Sequence, residues 1–332
     1  MKTFIIAEAG INHNKNYNLA IRLIDCAKKI NADAIKFQTA IPQDVMVNKA
    51  TLAPYQKRKL SYKNQLEMAK SLHFNLDTFQ DLFNYAKKRK IEFISSPFDE
   101  KSLLYLIKLK LNIIKIPSGE ILNVPLLRKL KGFKKKLFIS TGMANLKEIN
   151  FCLKTLYDIG ISKKQVTVLQ CNTSYPTPLM DVNLNVLKEY SDKFGTEIGY
   201  SDHTLSNIAC LSAVAMGATV IEKHITLDRN LSGPDHTSSY EPNEFKSLIE
   251  QIRKVETVLG KNKKLVTISE KKNISHVRKS IVAKTLIKKG EKFSSKNITT
   301  KRPYKGLCSS KWDYVIGKKS KKNYLIDDLI QI

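Results

Sequence analysis

Two lysines and two histidines have the strongest chemical potential in this sequence of 332 residues. Lys36 and Lys115 each follow an apolar residue of a predicted strand, where burying an ammonium group is costly unless an anion compensates its charge. His203 and His224 belong to two successive predicted strands, and neighbouring strands lie about 4.8 Å apart, so both imidazoles could reach one ion. These residues predict a metal-assisted site for a small phosphorylated anion. The alternative is that the lysines extend from core strands to water and the histidines are structural.

The number of histidines indicates which metal the site would bind. Two imidazoles completed by water and substrate oxygens suit a borderline divalent ion such as Mn2+ better than a closed zinc site. Mg2+ and Co2+ are the alternatives. His203 and His224 are therefore the candidate metal ligands.

Polar residues occur near the ends of all eight predicted strands, which packing alone does not explain. In a barrel, side chains at the carboxyl ends of the strands converge on one mouth. Hydroxyl groups at such positions can donate hydrogen bonds to phosphate and carboxylate oxygens. The candidates at these ends are Ser96, Ser118, Ser140, Thr173 and Ser201, with Glu8, Gln38, Glu120 and Tyr175.

The elements that would position these residues alternate along the first part of the chain. Short β-branched runs separated by amphipathic helical stretches are typical of a parallel α/β fold, and eight runs favour a closed barrel. A long second loop, 39–75, is predicted to contain a helix and to serve the active site. The predicted strands are 3–7, 34–37, 92–94, 113–116, 137–139, 166–169, 197–198 and 219–221.

The sequence changes character after Gly260. Residues 261–275 are polar and lysine-rich, which predicts a linker. Residues 276–332 combine short strands with Gly and Pro turns, which predicts a small β-rich domain. The predicted domains are therefore a catalytic barrel at 1–260 and a second domain at 276–332.

The formal net charge of +27 could suggest a nucleic-acid-binding protein. The lysines are scattered singly or in pairs, however, without an arginine-rich arm or an RNP-like motif, so solvated surface charge is favoured. Glu8 interrupts the N-terminal apolar run, which predicts neither a signal peptide nor a membrane span. Five scattered cysteines without CxxC pairs are typical of free thiols, so we expect a cytoplasmic protein.

Ten short motifs follow one another along essentially the whole chain: FIIAEAGINHN (4–14), IKFQT (35–39), SSPFD (95–99), KIPSGE (115–120), STGMA (140–144), NTSYPTP (172–178), GYSDHT (199–204), EKHITLD (222–228), SGPDH (232–236) and KRP (301–303). In order and spacing they resemble the bacterial sialic acid (N-acetylneuraminate) synthases, a family that includes N,N'-diacetyllegionaminate synthases. The resemblance implies a TIM (β/α)8 barrel followed by an antifreeze-like (SAF) domain.

The resemblance also implies a reaction. Family members condense phosphoenolpyruvate with an N-acetylated hexosamine, with a divalent metal, to give a nonulosonic acid and phosphate. N-acetylmannosamine is the favoured acceptor, which predicts an N-acetylneuraminate synthase. The alternative acceptor is 2,4-diacetamido-2,4,6-trideoxymannose, the precursor of N,N'-diacetyllegionaminate. A metal-dependent barrel aldolase, which needs no phosphoenolpyruvate, is a more distant alternative.

The family's functional residues can be assigned to matching positions of this sequence. Glu8 resembles the catalytic carboxylate, and His203 and His224 resemble the catalytic metal ligands. Arg302 resembles an arginine that the small domain inserts over the sugar pocket of the partner subunit, which implies a domain-swapped homodimer. The implied phosphoenolpyruvate contacts are Lys36, Ser96, Lys115, Ser118, Ser140, Thr173 and Ser201, and the implied sugar contacts are Gln38, Glu120, Tyr175, Asp235 and Arg302.

Three positions depart from the family pattern. Ser174 stands where Glu is usual, Ile225 replaces Phe, and Tyr304 with Lys305 replaces Gly-Asn. None of these changes removes an implied metal or phosphoenolpyruvate contact, so the implied reaction is unaffected. They bear on the choice of acceptor and on how the small domain docks.

Overall fold

Eight parallel strands in the first part of the chain close into a barrel, in which each strand pairs with the next and the eighth returns to the first. The computed structural model describes residues 2–52 and 62–332, and the chain divides into two units after Gly260. The predicted TIM barrel is confirmed. The strands are β1 (Phe4–Gly10), β2 (Ala34–Thr39), β3 (Glu92–Pro97), β4 (Ile113–Ile116), β5 (Lys136–Ser140), β6 (Val166–Cys171), β7 (Glu197–Asp202) and β8 (Val220–His224).

Amphipathic helices cover the outside of the barrel. The helix Tyr17–Lys29 begins at Asn16, whose side chain accepts a hydrogen bond from the Leu19 amide, and it buries one face at the helical period. None of the helices in the described part of the chain is long and apolar enough to cross a membrane. The helices of this unit are α1 (Tyr17–Lys29), α2 (Pro42–Val45), α3 (Gln65–Leu72), α4 (Leu76–Lys88), α5 (Glu100–Lys108), α6 (Val124–Arg128), α7 (Leu146–Asp158), α8 (Val186–Phe194), α9 (Asn207–Ala215) and α10 (Pro242–Leu259).

The inward-facing residues of the strands change from apolar to polar along the barrel axis. Side chains two residues apart lie on the same face of a strand. Ile6, Ile94 and Val220 belong to an apolar layer inside the barrel. Two positions further along the same strands lie Glu8, Ser96 and Glu222. The apolar layer therefore fills the amino-terminal part of the barrel and leaves the polar residues together at the other end.

Most strands extend further than the sequence predicted. Ser96, Ser140, Ser201 and His224 lie inside β3, β5, β7 and β8 rather than after them. The predicted ends of β3, β5 and β8 fall directly before a polar residue, but the hydrogen bonds of the sheet are made by the backbone and tolerate polar side chains that have partners. His203 does follow its strand, because β7 ends at Asp202.

The connection between β2 and α4 contains two helices, α2 and α3, which confirms the helical segment predicted there. Residues 53–61 of that predicted loop lie outside the described residues. Met68 and Leu72 of α3 pack against Ile11, which directly follows β1. This packing places α3 beside the mouth of the barrel.

The second unit has its own small core, and the predicted SAF domain is confirmed. Part of the predicted linker 261–275 is helical, because Thr267 and Glu270 form a capping box at the start of a helix. The elements of this unit are α11 (Ile268–Val277), the antiparallel strands β9 (Ser280–Ala283) and β10 (Ile298–Lys301), and α12 (Trp312–Val315).

His13 is a buried residue whose charge links stability to pH. Its ring stacks on Phe74 with centroids 4.3 Å apart, and its Nδ1 accepts a hydrogen bond from the Lys15 amide. Burial, followed by the neighbouring His73 and His236, lowers the pKa of His13 to about 3. The imidazole is therefore neutral in the folded protein at pH values where the unfolded chain is protonated.

We expect the free energy of unfolding to decrease as the pH falls from about 6.5 towards 3, because in this window the unfolded chain binds a proton that folded His13 does not. The contribution is about 1.4 kcal/mol per pH unit. His13→Asn keeps an oxygen that can accept the hydrogen bond from the Lys15 amide, but it should lose this dependence of stability on pH. Urea unfolding followed by far-UV circular dichroism at pH 5.5 and 4.5 measures the difference. His276→Asn, at an exposed position of α11, is the control. The same pH dependence in His13→Asn and the native protein would contradict the prediction.

Candidate active site

A cavity of about 250 Å3 opens at the carboxyl ends of the strands and is lined by side chains from all eight. It brings together residues that are far apart in the sequence. The predicted site residues that line it are Glu8, Lys36, Gln38, Ser96, Lys115, Ser118, Ser140, Thr173, Tyr175, Ser201, His203, His224 and Asp235.

Two lysines and two glutamates form a buried group of ion pairs in this cavity, here named the charge cluster: Lys36, Lys115, Glu8 and Glu222. Lys115 Nζ lies 2.8 and 2.9 Å from the two carboxylate oxygens of Glu222. Lys36 Nζ lies 2.8 Å from Glu8 Oε1 and 3.7 Å from Glu222 Oε1. All four side chains are at most 4% exposed. With all four groups ionised, the charge cluster has no net charge.

This pairing corrects the expectation that a bound anion must compensate the buried lysines. Glu8 and Glu222 supply the compensating charge within the protein. The alternative in which the lysines extend to water is wrong, because both are buried. Glu222 is one of the polar residues that the sequence places at the strand ends, but the sequence assigns it no role. The signal for it is its position two residues before His224, which puts both side chains on the same face of β8.

The two carboxylates of the charge cluster have different surroundings. Burial acts to raise the pKa of Glu222, but Lys115 and Lys36 outweigh burial and hold this pKa well below its usual range. Burial raises the pKa of Glu8, and its Oε2 has no hydrogen-bond partner among the described residues. Glu222 is therefore a fixed anion, whereas Glu8 is the carboxylate suited to accept a proton.

Serine hydroxyl groups surround the charge cluster. Ser96 Oγ accepts a hydrogen bond of 3.1 Å from Lys36, and Ser201 Oγ donates one of 3.0 Å to Glu222. Ser140 Oγ is buried without a hydrogen-bond partner in the part of the chain that the structure describes. A hydroxyl donor left unused in the same cavity as two ammonium groups is suited to bind an anion.

The two predicted metal ligands lie side by side. The ring centroids of His203 and His224 are 5.3 Å apart, and the Tyr175 ring lies 4.1 Å from that of His203. His203 Nδ1 is hydrogen-bonded to the Asn172 carbonyl oxygen, so when the ring is neutral Nδ1 carries the hydrogen and Nε2 keeps its lone pair. Burial, followed by the charge of His203, lowers the pKa of His224 well below its usual value.

These imidazoles have the chemistry that a metal ion requires. A neutral ring with a free lone pair is the form that binds metals, and His224 Nδ1 is buried with no hydrogen-bond partner among residues 2–52 and 62–332. Asp235 Oδ2 lies 4.0 Å from that nitrogen. The described residues contain no cluster of three or more His, Cys, Asp and Glu side chains that could hold a metal ion. Substrate or water oxygens would therefore have to complete the shell.

Two predicted sugar contacts lie outside the cavity lining. Glu120 is half-buried in a 3-10 helix (Ser118–Glu120) and accepts a hydrogen bond of 2.6 Å from Asn123. Arg302 belongs to the second unit, where it follows β10 and is exposed. The predicted roles of both residues at a sugar pocket stay predictions.

The fold and the cavity define a barrel enzyme in which buried lysines line the same cavity as a pair of imidazoles. A model of the NeuB family matches residues 23–264, and a model of the SAF domain matches residues 278–331. The chain belongs to the NeuB family and is a phosphoenolpyruvate-dependent nonulosonic acid synthase, a C–C bond-forming transferase.

Similar proteins match over most of their length. A N,N'-diacetyllegionaminic acid synthase from Campylobacter jejuni is 47% identical, over 99% of both chains. A N,N'-diacetyllegionaminic acid synthase from Legionella pneumophila is 41% identical, over 97% of this chain and 92% of the other. The crystal structure of a sialic acid synthetase from Leptospira borgpetersenii in complex with citrate is 34% identical, with a TM-score of 0.72 over 82% of this chain and 90% of the other.

The ion pair between Lys115 and Glu222 can be tested by replacement. Glu222→Gln should lower the free energy of unfolding by about 3–5 kcal/mol, because it leaves a buried ammonium group without its main partner. The double variant Lys115→Met with Glu222→Gln should recover at least half of that loss. Urea unfolding followed by circular dichroism measures both.

A half-exposed ion pair is the matched control. Lys129 and Glu100 are 44% and 43% exposed, so Glu100→Gln should cost less than about 1 kcal/mol. If Glu222→Gln were as stable as the native protein, the charge cluster would not be held by this ion pair.

Proposed function

We propose that this chain condenses phosphoenolpyruvate with 2,4-diacetamido-2,4,6-trideoxymannose and so acts as an N,N'-diacetyllegionaminate synthase. The observation that carries the proposal is the similarity to two synthases of that name, 47% and 41% identical over nearly the whole chain. N-acetylmannosamine, the acceptor favoured from the sequence alone, is less well supported, since the sialic acid synthetase structure is 34% identical.

The apolar part of the cavity lining also supports a deoxygenated acceptor. It comes largely from α2, α3 and the residues next to them. Compared with N-acetylmannosamine, the diacetamido-trideoxy sugar has more methyl groups and fewer hydroxyl groups. Burying a methyl group gains about 0.8 kcal/mol, whereas a buried hydroxyl group without a partner costs about 1–3 kcal/mol. The residues of this apolar wall are Ile11, Val45, Met46, Met68, Leu72 and Phe98.

The reaction forms one C–C bond and releases phosphate. Carbon 3 of phosphoenolpyruvate bonds to the aldehyde carbon of the open-chain acceptor, water adds to carbon 2, and the C–O bond to phosphate breaks. His203 and His224 would hold a metal ion, and we propose Mn2+. This ion would act as a Lewis acid that polarises the aldehyde carbonyl. Glu8 orients the acceptor or accepts a proton.

The remaining residues act mainly by positioning the substrates. The acceptor contacts proposed within the cavity are Gln38, Tyr175 and Asp235. Glu120 and Arg302 are further proposed acceptor contacts, with Arg302 acting across a domain-swapped homodimer. The proposed phosphoenolpyruvate contacts are Lys36, Lys115, Ser96, Ser118, Ser140, Thr173 and Ser201.

The choice of acceptor can be measured by phosphate release from phosphoenolpyruvate. With Mn2+ present, we expect kcat/KM for the diacetamido-trideoxy sugar to exceed that for N-acetylmannosamine by about tenfold or more. A chelator should abolish both activities, and added Mn2+ should restore them. A higher kcat/KM with N-acetylmannosamine would contradict the proposed acceptor, and no phosphate release with either sugar would contradict the reaction.

The apolar wall can be tested at Met68, which is buried in α3. Met68→Gln has a similar volume but adds polar atoms, so it should lower the preference for the diacetamido-trideoxy sugar over N-acetylmannosamine by about tenfold. The KM for phosphoenolpyruvate should not change. Met180→Gln is the control, because Met180 is 88% exposed and does not line the cavity. An unchanged preference in Met68→Gln would exclude the wall as the source of specificity.

A further inference from the structure

A buried ion pair lies behind the two imidazoles, on the opposite face of their strands. Ser201 and His203 line the cavity, as do Glu222 and His224. Because side chains alternate along a strand, the intervening residues Asp202 and Lys223 face away from the cavity. Both are 1% exposed.

Lys223 makes contacts with both residues that flank His203. Its Nζ lies 2.5 Å from Asp202 Oδ2 and 2.7 Å from the Thr204 carbonyl oxygen. The Thr204 amide in turn donates a hydrogen bond of 2.9 Å to Asp202 Oδ1. The ammonium group of Lys223, which precedes His224 in the sequence, therefore contacts the residues on both sides of His203.

These side-chain contacts connect β7 and β8 beyond the last backbone pairing of the sheet. The last backbone pairing between β7 and β8 joins Asp202 to Lys223. His203 lies one residue beyond that pairing, so the ladder of the sheet does not itself fix the position of its imidazole relative to that of His224. The side chain of Lys223 extends the connection by two further residues, to Thr204.

Stability alone does not explain a charged pair at this position. Many other strand residues that face the helices are apolar, for example Ile5, Phe37 and Ile114. A buried ion pair is often no more stable than apolar residues of the same volume. The Asp202 carboxylate nevertheless has a full set of partners, since the Tyr200 hydroxyl also donates to it at 2.9 Å. A well-satisfied polar network of this kind defines geometry more narrowly than apolar packing does.

We propose that the Asp202–Lys223 ion pair is a positioning device that sets the separation and orientation of His203 and His224, so that both imidazoles bind one metal ion. This inference rests on the proposed metal-dependent function. The Asp202–Lys223 ion pair does not itself contact the substrates in this proposal. We expect metal affinity to depend on the ion pair even where the stability of the fold does not.

The test replaces the ion pair with apolar residues and measures Mn2+ binding directly. Mn2+ is titrated into metal-free protein, and free Mn2+ is followed by electron paramagnetic resonance. In the double variant Asp202→Leu with Lys223→Met, we expect the Kd for Mn2+ to rise about tenfold or more. The unfolding temperature should stay near that of the native protein, and kcat should fall while the KM for phosphoenolpyruvate is unchanged.

An ion pair at the other end of the same strand is the matched control. Lys136 and Glu197 are 3.0 Å apart, and Glu197 is the first residue of β7. The double variant Lys136→Met with Glu197→Leu should bind Mn2+ as the native protein does. Equal Mn2+ affinity in the Asp202–Lys223 double variant and the native protein would overturn the inference, because the pair would then serve packing alone.

A milder variant keeps the proposal testable if the double variant does not fold. Tyr200→Phe removes one hydrogen bond to Asp202 without changing the charge, and should raise the Kd for Mn2+ by about twofold to fivefold. An unchanged Kd in Tyr200→Phe would overturn the inference. If the native protein binds no Mn2+, both the proposed metal dependence and this inference are overturned. If the native protein binds Mn2+ and the variants have the same Kd, only this inference is overturned.

Discussion

The ion pair between Lys115 and Glu222 crosses the interior of the barrel at the level of the active site. Lys115 belongs to β4 and Glu222 to β8, which are on opposite sides of a closed sheet of eight strands, yet the charged groups are 2.8 Å apart. Beneath them the inward-facing residues are apolar. A buried ion pair is tolerated only if its geometry is good and its remaining donors and acceptors have partners. This contact therefore fixes where the apolar core ends and the cavity begins.

The ion pairs also determine how the charged groups of the cavity are arranged. Glu8 and Glu222 hold Lys36 and Lys115 in place by ion pairs, so the proposed anionic substrate would meet donors that need little reorganisation. The imidazoles and the apolar wall line the same cavity as the charge cluster. A cavity with both charged and apolar lining is compatible with the two proposed substrates, which differ in polarity and must meet for the C–C bond to form.

The barrel and the positions of many candidate residues could be predicted from the sequence, because every second side chain of a barrel strand faces inward. Lys36, Lys115, His203 and His224 interrupt apolar runs, so the sequence alone identifies them as unusual. The pairing of Lys115 with Glu222, 107 residues away, depends on closure of the barrel and has no local signal. For the same reason, the sequence could not show that the lysines are neutralised within the protein. Most strand ends are predicted too early because side-chain polarity is a poor guide to backbone pairing.

The substrate and metal sites can be observed together in crystals of the protein grown with phosphoenolpyruvate and Mn2+. We expect the anion within hydrogen-bond distance of Lys36, Lys115 and the Ser140 hydroxyl, with Mn2+ coordinated by both His203 and His224. Phosphoenolpyruvate bound away from both lysines, or Mn2+ bound without either imidazole, would contradict this expectation.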